Sequence, residues 1–158
     1  MAKYRLLSFS ELQELEKEFI EFLILNGIAA EDWAGMKKKE PDKAEKIIHH
    51  FSDVVFEKIM RQTQFVERYS EKKVEVFQCL SDKFVIVCLD ASKIKNANFT
   101  SKHYLETALK NPPAKLEVYT YDYTYNNARE EEIFNQIENG SHISNGKLFK
   151  TLCLFLPQ

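Results

Sequence analysis

Three consecutive stretches decide the fold: Phe65-Val-Glu-Arg-Tyr69, Val74-Glu-Val-Phe-Gln-Cys-Leu80 and Phe84-Val-Ile-Val-Cys-Leu-Asp90. Each is rich in β-branched and aromatic residues, which suit a pleated, packed surface. Short polar connections, Ser70 to Lys73 and Ser81-Asp82-Lys83, separate them. Strands so close in sequence pair as an antiparallel meander. The third stretch is apolar without alternation, so it is expected at the centre of a sheet, buried on both faces.

Toward the N-terminus the period changes to that of helices. Leu12, Leu15, Phe19, Phe22 and Leu23 follow helical spacing, with Glu11, Glu14, Glu18 and Glu21 opposite. Ser10 with Gln13 three residues on fits an N-cap, and Gly27 fits a C-cap, giving a helix over about 10–26. A short helix over 29–39 carries Trp33 and Met36. Pro41 then opens a long helix over about 42–62, with Ala44, Ile47, Ile48, Phe51, Val54, Val55 and Ile59 as its apolar stripe.

Toward the C-terminus, Thr100 or Ser101 caps a helix to about Lys110 that Asn111-Pro112-Pro113 ends. Leu116 to Tyr125 reads as a fourth strand, and Ala128 to Asn139 as a helix ending at Gly140. Lys147 to Leu156 fits a helix better than a strand, with Ser144 as its cap. The expectation is a single α+β domain over 1–158, an antiparallel sheet of about four strands packed against N-terminal helices.

The totals exclude several classes. The 158 residues carry 22 Lys plus Arg against 24 Asp plus Glu, too even a balance for a phosphate-tracking surface. The one cationic run, Lys37-Lys38-Lys39, is diluted by Glu40, Asp42 and Glu45. Nucleic acid is therefore not expected as a partner. No apolar run is long enough to cross a bilayer, and acidic residues follow the basic start at once, so neither a membrane nor a signal peptide is expected. The three cysteines, Cys79, Cys88 and Cys153, are odd in number and lack Cys-x-x-Cys spacing. This suits a reducing, cytoplasmic setting, without a disulfide framework or zinc.

Two constellations carry chemistry. In Lys115-Leu-Glu-Val-Tyr-Thr-Tyr-Asp-Tyr-Thr-Tyr125, strict alternation puts Tyr119, Tyr121, Tyr123 and Tyr125 on one strand face. Such a row can stack bases or sugars, or anchor a protein partner, or it can be an ordinary half-buried face. On the long helix, Glu45, His49, Asp53 and Glu57 recur every four residues and share one side. Imidazole plus carboxylate is metal-ligand chemistry. The wheel sets His49 and Asp53 opposite the apolar stripe, where a solvated face is the expected role. Trp33 is either a packing anchor or an exposed contact.

Glu71-Lys72-Lys73 matches half of a metal-nuclease pattern but falls in a polar turn, and it is discarded. No glycine-rich phosphate loop or nucleophile elbow exists among Gly27, Gly35, Gly140 and Gly146. No cofactor is implied.

Lys3-Tyr4-Arg5-Leu6, Glu31-Asp32-Trp33, Phe51-Ser-Asp-Val-Val-Phe-Glu57 and Val66-Glu-Arg-Tyr-Ser70 together resemble a family of bacterial proteins of about this length. That family is labelled only as a domain of unknown function. The resemblance spans nearly the whole chain. It implies a cytosolic stand-alone domain, and it carries no activity to transfer. Members often have Trp at the position of Phe56, which suits a core aromatic. The leading functional expectation is a non-enzymatic interaction module, binding itself as a homodimer or another protein. The alternatives are a small-ligand or metal-binding protein using His49, Asp53 and Glu57, and an enzyme of unrecognised class.

Overall fold

The computed structural model describes residues 3–157, and the chain divides into two compact units, residues 1–61 and 62–158. The fold is α+β: among the described residues, seven helices and one five-stranded antiparallel sheet.

The first unit is helical: α1 (Phe9–Glu14), α2 (Glu16–Leu25), α3 (Ala30–Lys39) and α4 (Pro41–Gln62), whose last residue begins the second unit. The continuous helix expected over 10–26 is broken at Leu15, and its cap is Ser8, not Ser10. Ser8 forms a complete capping box with Glu11. The Ser8 hydroxyl accepts from the Glu11 N–H at 3.2 Å, and the Glu11 carboxylate accepts from the Ser8 N–H at 2.8 Å. At the far end Gly27 (φ +77°) closes a Schellman turn, with Gly27 N–H bonded to the Ile24 carbonyl and Ile28 N–H to that of Leu23. Phe51 of α4 packs against Phe19 and Phe22, with ring centroids 5.0 and 5.3 Å away, and Trp33 meets Phe19 edge-on at 5.2 Å.

The apolar stripe of α4 runs differently from the expected one. Ala44, Phe51, Ser52, Phe56 and Met60 are buried, whereas Val54 and Ile59 are exposed. The N-terminal segment, residues 3–7, lies along α4 over Ser52, Asp53, Phe56 and Glu57. Ser52 can be buried because its hydroxyl accepts from the Leu7 N–H at 3.0 Å and donates to the Ile48 carbonyl at 2.7 Å.

The second unit holds β1 (Phe65–Tyr69), β2 (Lys73–Cys79), β3 (Lys83–Asp90), α5 (Lys102–Lys110), β4 (Glu117–Thr124), α6 (Arg129–Glu138), β5 (His142–Ser144) and α7 (Lys147–Cys153). Strand order is β4-β3-β2-β1-β5, every neighbour antiparallel. The expected meander is present, and β3 is central, with Phe84, Ile86, Val87, Cys88 and Leu89 buried. The sheet has five strands rather than four: β5 pairs with β1 through Phe65↔Ser144, Val66↔Ile143 and Glu67↔His142. Ser144 thus sits in a strand, and Gly146 (φ +82°) opens α7 in its place.

One sheet face carries Val74, Val76, Val87 and Leu89, joined in a core by Ala108 of α5 and Phe149 and Leu152 of α7. Lys72 ties the loop after β3 to this layer. Its ammonium donates to the carbonyls of Ile94, Lys95 and Ala97 at 2.7, 3.1 and 3.0 Å. The other face carries Val66, Phe77, Cys79, Phe84, Ile86 and Cys88, all buried, and the tyrosines of β4.

Candidate functional site: the tyrosine edge of the sheet

The crossover from β3 through α5 delivers β4 to the outside of the sheet, against β3 alone. Its phase is set at one end, where the Tyr125 N–H donates to the Asp82 carbonyl at 3.1 Å. Antiparallel ladders alternate. Tyr123, Tyr121, Tyr119 and Glu117 therefore turn their main-chain groups toward β3. Val118, Thr120, Asp122 and Thr124 turn theirs outward, along the free edge.

The register places Tyr119 beside Cys88, Tyr121 beside Ile86 and Tyr123 beside Phe84. Cys88 in turn neighbours Glu75, which neighbours Arg68 on β1. The four tyrosines differ in what holds them. Tyr119 is half-buried, and its hydroxyl donates to Asp90 at 3.3 Å. The Tyr121 hydroxyl donates to Glu75 at 3.1 Å, Tyr123 accepts from the Asn126 side chain at 3.0 Å, and Tyr125 donates to the Leu80 carbonyl at 2.7 Å. Tyr119 and Tyr121 stack at 6.2 Å, and Tyr123 stacks on Phe84 at 6.1 Å. The outermost rings are open: Tyr121 is 43% and Tyr123 39% exposed.

The local electrostatics push the Tyr119 and Tyr121 phenols and the two buried thiols up. Hydrogen bonding with Cys88, then burial, pushes the Tyr119 phenol up. Burial and the Glu75 charge raise Tyr121 to about 12. Burial raises Cys79 to about 12 and moves Cys88 in the same direction. Burial alone raises the Asp90 carboxyl, but hydrogen bonds from the Ser92 hydroxyl and N–H more than offset it, leaving it below the ordinary range. The row offers aromatic faces, phenol hydroxyls and, among the described residues, a line of main-chain N–H and C=O groups that no strand pairs with. That is equipment for binding an extended chain.

Two further features adjoin β4. Asp122 at the middle of the edge is paired with Lys83 at 2.8 Å. Beside the start of the strand lies a groove of about 460 Å3 lined by Pro112, Leu116, Glu117, Val118, Tyr119, Phe155 and Pro157.

The other residues singled out from the sequence lie in the first unit. His49 sits 3.5 Å from Glu45. The Asp53 carboxylate accepts from the N–H groups of Lys3 and Tyr4 at 2.8 and 3.2 Å. Glu57 accepts from the Tyr4 hydroxyl and the Lys3 ammonium and pairs with Arg61. The acids expected to face solvent thus hold the N-terminal segment onto α4, with Arg5 stacked over the Phe56 ring. Among the described residues no three His, Cys, Asp or Glu side chains converge as a metal site would need. Trp33 is half-buried against Phe19.

Glu75, Asp90 and the groove were not singled out from the sequence. The alternation of β2 and β3 marks which residues share a face. It does not reveal the register that the long crossover gives β4.

The class defined here is an α+β protein whose meander sheet ends in an open, tyrosine-bearing edge strand. The chain belongs to DUF6495, a family of unknown function, which matches residues 1–156. No curated protein and no solved structure matches it. Among the described residues no helix is long and apolar enough to cross a membrane.

Proposed function

We propose that this protein is a non-enzymatic interaction module that binds an extended polypeptide by adding it as a strand to the outer edge of β4. The observation that carries this reading is the edge itself. From Glu117 to Thr124 it is uninterrupted by Pro, Lys or a bulge, its mid-strand charge, Asp122, is paired with Lys83, and among the described residues its outward side is unpaired. Edge strands of this length are ordinarily blunted by such devices, because an open edge templates pairing. The sheet's other edge, β5, is only three residues long. Strand addition draws affinity from main-chain bonds and specificity from alternate side chains. Here Tyr121 and Tyr123 and the adjoining groove supply the latter. The buried free thiols Cys79 and Cys88 support action in a reducing compartment.

The test is selection of ten-residue peptides from a displayed library on dilute protein. Selected peptides should bind the wild type at roughly micromolar Kd. They should slow amide exchange at Val118, Thr120, Asp122 and Thr124. They should lose about tenfold or more in affinity on Thr120→Pro, which removes an outward N–H and leaves the β3 ladder intact. Recovering no peptide whose binding depends on Thr120 overturns the reading.

A further inference from the structure

We infer that the strand received by β4 is β4 of a second copy, paired antiparallel about a twofold axis through Tyr121. The inference rests on the preceding reading and names its occupant.

The argument is one of self-complementarity. A twofold interface must present a patch that fits itself. Around Tyr121, Thr120 lies opposite the partner copy's Asp122, and Val118 opposite its Thr124. The outward main-chain groups of Val118, Thr120, Asp122 and Thr124 are then all used on both copies. On the tyrosine face Tyr121 meets its own counterpart and Tyr119 meets Tyr123, so the aromatic row continues across the junction. Cross-strand aromatic pairs are among the more favourable contacts on a sheet. The charges agree with this register. Glu117 falls opposite Tyr125, and Asp122, already paired with Lys83 at 2.8 Å, falls opposite a threonine. Shifting the axis to Asp122 would set two carboxylates directly against each other, which like-charge pairing disfavours. Shifting it to Thr120 leaves the outward groups of Thr124 without a partner within the strand. Centring on Tyr121 therefore satisfies the edge most completely.

In this register Tyr121 occupies a pair that exchanges no main-chain bonds, where the Cα atoms stand about 4.5 Å apart. That spacing is within reach of a disulfide, which gives a direct test in the full chain. In a Cys153→Ser background, to remove the exposed native thiol, Tyr121→Cys and Tyr123→Cys are oxidised with glutathione and the rate of covalent dimer is compared. Tyr121→Cys should cross-link at least about tenfold faster, because Tyr123 faces Tyr119 and not itself. Sedimentation equilibrium of the unmodified protein should give a dimer of roughly micromolar Kd, since one strand pair is a small interface. Thr120→Pro should weaken it by about tenfold or more. Because cross-linking does not use the proline variant, the test survives if that variant fails to fold. A protein that stays monomeric to on the order of 100 μM overturns self-pairing. If it still binds Thr120-dependent peptides, the edge reading stands with a foreign occupant. A dimer indifferent to Thr120→Pro, or one that cross-links no faster at Tyr121 than at Tyr123, overturns the proposed pairing.

Discussion

Gly146 shows how much a single position can fix. Its φ of +82° lies in the region that favours glycine, and a Cβ placed there would fall 2.4 Å from a ring carbon of Phe65. Phe65 has little room to move, since its ring packs on Phe149 with centroids 5.5 Å apart. Gly146→Ala should therefore destabilise the protein by about 2–4 kcal/mol, through strain and overpacking together. Urea denaturation would read this as a lower midpoint at unchanged slope. The Asn-Gly pair marks a turn from sequence alone. The ring beneath it does not show, because Phe65 and Gly146 meet only once β5 has paired with β1. The tyrosines divide in the same way. Their shared face follows from alternation, but which hydroxyls are committed, to Asp90, Glu75 or the Leu80 carbonyl, depends on the register.

At the scale of elements, two sets of polar contacts make separate predictions, one read against pH and one at neutral pH. In the helical unit the Arg5 hydrogen bond, then the Ser8 N–H, hold the Glu11 carboxyl down to about 2. The Tyr4 hydroxyl, opposed by burial and helped by Lys3, lowers Glu57. A depressed carboxyl contributes stability that is complete above its unfolded value, near 4.5, and fades as pH falls through its folded value. Stability should thus decline from about pH 4.5 toward pH 2, and Glu11→Gln should flatten part of that decline while lowering stability at neutral pH. Thermal melts at stepped pH would check it. A decline as steep in Glu11→Gln as in the wild type would show that the α1 capping box is not its source. In the sheet unit the Lys72 ammonium satisfies three carbonyls, so Lys72→Met should cost about 1–3 kcal/mol. It should also speed amide exchange around residues 94–97. The sequence exposes such elements unevenly. The meander is readable because β1, β2 and β3 carry their own strand patterns. β5 is not: His142-Ile-Ser144 has no pattern of its own and is a strand only through β1. Ser10 with Gln13 has the same spacing as Ser8 with Glu11, so spacing alone does not single out the cap that forms. The polar side of α4 departs from the expected solvated face because residues 3–7, which carry no regular pattern, cover Ser52 and engage Asp53 and Glu57.

For the molecule as a whole, the near-even charge bears on how any association should respond to salt. The net charge is −2, and the acids on β4 are matched, Asp122 by Lys83 and Glu117 by Lys93. Pairing along β4 would be held by main-chain hydrogen bonds and aromatic contact, neither of which depends on long-range fields. Binding that neutralises many phosphates weakens steeply with salt, by orders of magnitude over a fourfold increase. Between about 0.05 and 0.5 M sodium chloride the Debye length falls from about 14 to about 4 Å, which removes most interactions between exposed charges. The Kd for self-association, or for a selected peptide, should therefore change by less than about threefold across that range. Sedimentation at the two salt concentrations measures it directly. A tenfold or greater weakening would mean that charge and not the edge supplies the affinity. The contact surface would then have to be sought among the ion-paired helices of the first unit, where Lys3, Arg5 and Arg61 meet Glu11 and Glu57.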